Sequence, residues 1–135
     1  MAKSRPNKRK LKKKAWTLLS KVKRYVDWLE PDGKITCYTC GVRKPPEEMQ
    51  AGHLLDGRGN SILFKELALK PQCVGCNMFK SGNKEVYIPK FIDQYGRTVY
   101  DTLCKLKRKT LKLGTSELDE LIESYKIRLE KGEQC

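Results

Sequence analysis

The chain holds a single histidine, His53, among 135 residues, with only two tryptophans, three phenylalanines and three methionines. Any imidazole chemistry therefore rests on one residue. Aromatic residues make up 8% of the sequence and hydrophobic residues 39%, while charged residues reach 33%. Such a chain builds one modest domain with a small core and an arm, not two full domains. No apolar run approaches the roughly 18 residues of a membrane span, and no apolar stretch follows the charged N-terminus as it would in a signal peptide. Acidic residues are scarce too, 16 against 29 Lys and Arg, for a net charge of +13. The imbalance is local: residues 1–30 carry 11 basic and 2 acidic residues, a balance of +9, against +4 for the rest. A concentrated basic segment of this kind suits a polyanionic partner, above all nucleic acid.

Cysteine, by contrast, is present in number. Of six cysteines, four form two Cys-x-x-Cys knuckles, Cys37/Cys40 and Cys73/Cys76. Each knuckle lets one tight turn offer two sulfurs to one ion, so the four thiols make a tetrahedral zinc site. Three disulfides would require a secreted protein, which the N-terminus does not suggest. A structural zinc also helps a chain with a small core to fold. Cys104 and Cys135 are then free thiols.

Residues 3–14, KSRPNKRKLKKK, contain eight Lys or Arg in twelve positions. Mutual repulsion predicts a disordered basic arm over 1–14, with Lys8, Arg9, Lys10, Lys12, Lys13 and Lys14 on DNA phosphates. Residues 15–30 read as an amphipathic helix, with Ala15, Leu18, Leu19, Val22, Tyr25, Val26 and Leu29 on one face and Lys21, Lys23 and Arg24 on the other. Trp16 and Trp28 cap its apolar stripe as core residues, and Pro31-Asp32-Gly33 stops the helix. Residues 31–96 form the central domain. In it, KITCYTCG and MQAGHLL are strand candidates, and residues 62–69 are a short helix or turn. A helix is entered at Cys76 and broken at Ser81-Gly82-Asn83. Another covers 85–95, where Pro89 implies a kink or a late start near Ile88. The C-terminal region, 97–135, holds helices over 98–110 and 116–131, the last capped by Thr115 or Ser116 and stopped by Gly132. The apolar stripes of these last two exceed what a small core can cover, which points to a homodimer interface.

Between Cys40 and Cys73 lie 32 residues, against about 15–20 in a plain zinc ribbon. The excess accommodates a hairpin that presents His53 outside the zinc shell, followed by a helix at the second knuckle. That is a ββα-metal arrangement. An imidazole, with its ordinary pKa of about 6.5, can take a proton from water near neutral pH. The carboxamide oxygen of Asn77, next to Cys76, is a donor of the kind that hard cations take.

The segment C-Y-T-C-G … Q-A-G-H … Q-C-V-G-C-N-x-x-K-S-G-N resembles the HNH endonuclease superfamily and, more narrowly, the phage NinG/Rap recombination nucleases. The likeness runs from about Tyr25 to Tyr100. It implies an α+β fold: a small ββα-metal (HNH) core stapled by a four-cysteine zinc and flanked by an N-terminal basic helix and C-terminal helices. It further implies a metal-dependent DNA endonuclease acting on branched recombination intermediates, such as Holliday junctions or D-loops, in the cytoplasm of a bacterial host. In that reading zinc is structural, and Mg²⁺ or Mn²⁺ is catalytic. His53 is the general base, Asn77 a ligand of the catalytic ion, and Arg58, Lys80 and Lys84 contact DNA. Two positions depart from the pattern. Gly52 stands where many relatives place a ligating Asp, so Asp56 becomes the candidate second ligand, with Gln50 and Asn60 behind it. Ala68 stands where relatives place an Asn that orients the histidine, which leaves that role to a backbone carbonyl. The alternative is a non-catalytic zinc module that binds nucleic acid.

Overall fold

Residues 8–14 of the basic run are helical. In a computed structural model, which describes residues 7–56 and 59–133, helix α1 covers Lys8–Val22. Asn7 caps it, its Oδ1 accepting the Lys10 amide at 2.9 Å, which satisfies one orphan donor of the first turn. Leu11, Ala15, Leu19 and Val22 form the buried stripe. The expected arm over 1–14 is therefore corrected for residues 8–14, which form the first turns of α1. Lys and Arg are good helix formers, and the buried Leu11 anchors a segment whose charges point outward. Residues 1–6 lie outside the described residues.

After Val22 the chain widens into a π-helical turn, Lys23–Asp27, closed by Trp28 N donating to Lys23 O at 2.8 Å. A π turn adds a residue per hydrogen-bonded ring and so rotates the residues beyond it around the axis. This displaces the stripe expected over 15–30. Tyr25 and Leu29 are exposed, while Lys23 and Arg24, expected on the outer face, are half-buried. Lys23 meets Asp27 at 3.0 Å and Glu66 at 2.8 Å, and Arg128 reaches both carboxylates at 2.9 Å.

Two antiparallel pairs come next. Strands β1 (Ile35–Thr36) and β2 (Arg43–Lys44) flank the first knuckle. Strand β3 (Met49–His53) pairs with β4 (Leu69–Cys73), with His53 opposite Leu69 and Met49 opposite Cys73. Between them lie a short helix α2, Asn60–Leu63, and a 3-10 turn, Glu66–Ala68. The expected helix at Cys76 is instead a five-residue π turn, Gly75–Phe79. Ser81, Gly82 and Asn83 all take positive φ, of 49°, 89° and 48°, and end it. Helix α3 then covers Lys84–Tyr95. Its start is not delayed to Ile88: Tyr87 and Phe91, buried on either side of Pro89, hold the helix through the missing amide.

Helix α4, Arg97–Arg108, packs with α3 over a cluster that includes Leu54, Ile62, Tyr87, Phe91 and Leu103. Helix α5, Thr115–Glu133, lays Leu118, Ile122 and Tyr125 on the α1 stripe and on Leu69 of β4. The α5 stripe that suggested a dimer interface is thus covered within the chain. Gly132, expected as a stop, lies inside α5. A Cβ there would stand 2.4 Å from Val26 Cγ2, so glycine permits the close approach of the π turn. Helices and two small sheets, layered in this way, make an α+β fold. Among the described residues no helix is long and apolar enough to cross a membrane.

Candidate functional site

The two knuckles converge. The sulfurs of Cys37, Cys40, Cys73 and Cys76 all lie within 4.8 Å of one another. Sulfurs about 2.3 Å from a tetrahedral zinc stand about 3.8 Å apart, and Cys40 and Cys73 are 3.7 Å apart. The donor set thus fits a structural metal such as zinc. Gly41, at φ 80°, closes the first knuckle, its amide donating to Cys37 O at 3.0 Å. Asn83 donates to the Cys76 sulfur at 3.6 Å, and the Cys76 amide approaches the Cys73 sulfur at 3.5 Å. The Cys37 thiol is pushed up by burial, yet hydrogen bonds from Thr39 and nearby backbone hold it at about 6. The Val42 backbone pulls Cys40 down, while burial and the three neighbouring thiols push it up to about 12. Thiols this crowded resist shared ionisation without a cation.

His53 ends β3 and Asn77 sits in the π turn that leaves the second knuckle. Both line the same two adjoining clefts, of about 450 and about 300 Å³. Asn77 Nδ2 donates to Gln50 Oε1 at 2.7 Å. This fixes the amide and leaves Asn77 Oδ1 as its acceptor atom. The backbone around His53 is held from behind by α3. Tyr87, whose hydroxyl burial pushes far above its ordinary pKa, donates to Gly52 O at 2.9 Å. Lys84 donates to His53 O, and to Leu54 O at 3.0 Å.

Lys84 is half-buried and lines the smaller cleft with His53 and Asn77 while it holds these carbonyls. Burial pushes its pKa down, and Asp56, 3.5 Å away, pushes it up. Asp56 lines the smaller cleft with His53 and Asn77, but its carboxylate is engaged by Lys84. Lys80 is exposed at the neighbouring rim. Arg58 lies outside the described residues, as does the Asn60 side chain. Lys8, Arg9, Lys10, Lys13 and Lys14 are exposed along α1, and Lys12 is half-buried. At 1.5 Å per residue they stand about 3 to 12 Å along the axis from Trp16.

The sequence reading missed one wall of the larger cleft. Trp16, Ser20 and Arg24, four residues apart, line it from α1 and the π turn. Trp16 stacks on the His53 ring, with centroids 4.7 Å apart and planes 27° from parallel. Arg24 Nε donates to Ser20 Oγ at 3.1 Å and Ser20 O at 3.3 Å, and Nη1 donates to Pro46 O at 3.3 Å. The guanidinium is thereby fixed, and among the described residues its hydrogen bonds use Nε and Nη1. The i, i+4, i+8 spacing of these three residues was visible, but a Trp in an apolar stripe reads first as core.

Searches of curated proteins and of solved structures each return no match. The family model described as the bacteriophage lambda NinG protein matches residues 1–134, and the chain belongs to that family.

Proposed function

We propose that this protein is a metal-dependent DNA endonuclease that cuts branched intermediates during phage recombination. The observation that carries the reading is the convergence of His53 and Asn77, from two separate elements, on two clefts, the larger of them walled by the basic helix. The cysteine-bound zinc builds the scaffold and takes no part in the chemistry. Asn77 Oδ1 is the first ligand for Mg²⁺ or Mn²⁺, and Gln50, Glu47 and Glu48 bring further oxygens to the cleft. Asp56 is a ligand only where it leaves Lys84. When bound, the ion would relieve charge on the scissile phosphate and on the departing 3′ oxygen. His53, stacked under Trp16, accepts the proton of the attacking water. Arg24 offers its Nη2 donors to a phosphate oxygen, and the exposed α1 lysines neutralise phosphates along the same DNA arm.

The test is cleavage of labelled four-way junctions, flaps and duplexes by zinc-loaded protein across Mg²⁺ and Mn²⁺ concentrations. Cleavage that requires the added ion and favours branched DNA is expected. Salt-sensitive binding with every substrate left uncut establishes the non-catalytic module instead.

A further inference from the structure

The turn that carries Asn77 also carries two uncovered apolar side chains. Phe79 is 84% and Met78 62% exposed, the two highest values among the exposed large hydrophobics of the described residues. Their setting is fixed. Lys80 N donates to Gly75 O at 3.0 Å and Gly82 N to Cys76 O at 2.9 Å. Gln50 Nε2 approaches Met78 Sδ at 3.6 Å while its Oε1 holds Asn77. Phe79 thus stands on a stapled turn, three residues after a zinc-binding thiol and two after Asn77, with exposed Lys80 directly behind it.

We propose that Phe79, supported by Met78, is a stacking wedge for an unpaired or branch-point nucleobase of DNA. Apolar side chains that enter base steps must first unstack them. In a continuous duplex that opposes entry, whereas a branch point already exposes base faces, and stacking on an aromatic ring is tolerant of sequence. Lys80 supplies the cation for the adjoining phosphate, in keeping with the chain's net charge of +13. The wedge lies beside the cleft, so a branch point seated on it brings nearby phosphates to His53. This inference rests on the DNA-binding part of the function proposed above and not on cleavage.

The experiment compares affinities for a four-way junction and for a duplex of the same arm sequence, without added Mg²⁺ or Mn²⁺. Phe79→Ala is expected to weaken junction binding about tenfold and to leave duplex binding and its salt slope unchanged. Phe79→Trp keeps the junction affinity. Unchanged junction binding by Phe79→Ala, equal losses on both DNAs, failure of the Trp rescue, or no binding to either DNA overturns the proposal. So does a wild-type dimer that Phe79→Ala dissociates, which gives the patch to a second copy. Cleavage scored separately keeps the two ideas apart. A protein with the preference that cuts nothing sinks only the nuclease reading, and one that cuts without it sinks only the wedge.

Discussion

A methyl group at position 52 would fall 1.9 Å from Gln72 Oε1. Gln72 is fully buried, its Nε2 donating to Gly82 O at 2.7 Å and Thr39 Oγ1 at 3.1 Å. Glycine at this position leaves room behind the β3 backbone for the buried Gln72 amide. Gly52→Ala and Gly52→Asp are each predicted to destabilise the fold by about 1–3 kcal/mol, measured by urea denaturation of the zinc-loaded protein. Trp16 stacks on His53 and restricts its ring. Trp16→Ala should lower the cleavage rate about tenfold and alter the pH–rate profile with zinc content unchanged, while Trp16→Phe restores most of the rate. The clustering of Cys37, Cys40, Cys73 and Cys76 was legible because each Cys-x-x-Cys pair is a local motif, and His53 and Asn77 were legible as residues placed beside it. Trp16, Arg24 and Gln72 were not, because each acts on a residue at least 20 positions away.

Element boundaries went astray where a π turn replaced an α turn, at Lys23–Asp27 and Gly75–Phe79. Periodicity arguments assume 3.6 residues per turn, and one wide ring shifts every later residue around the axis. The first π turn instead presents Lys23 and Asp27 to a four-charge cluster with Glu66 and Arg128. Burial pushes the Glu66 carboxyl up, but Arg128 and Lys23 outweigh it, and the net shift is below the ordinary value of 4.5. A depressed folded value contributes stability that is present above the unfolded pKa and lost as pH falls through the folded one. The melting temperature of wild type should therefore fall as pH drops below about 4.5, and Glu66→Gln should flatten that limb. At the knuckles, Cys73→Ser should release the metal and unfold the central region, since a structural zinc supplies on the order of 10 kcal/mol. A folded, zinc-free Cys73→Ser protein by circular dichroism would refute this.

On the scale of the whole molecule, residues 8–14 of the basic run share one helix with Trp16 and Ser20, which wall the larger cleft. Deleting residues 1–14 would remove Leu11 and two turns of α1 along with the charge. The cleaner probe is Lys8, Arg9, Lys13 and Lys14 together replaced by Gln. Helicity should persist, while the slope of log affinity against log salt falls by about 0.9 for each phosphate that the variant no longer neutralises. The α+β class was implied by the family resemblance, and the C-terminal helices α3 to α5 were readable from hydrophobic periodicity. That α5 closes on α1 was not, because an amphipathic stripe does not name its partner. The proposed function requires that His53 do chemistry on a scaffold that the four cysteines hold. Single-turnover cleavage of a four-way junction by His53→Ala and wild type, both zinc-loaded and in Mg²⁺, tests it most directly. Equal junction binding and zinc content are expected, with cleavage lost in the variant. Cleavage by His53→Ala at the wild-type rate would contradict it.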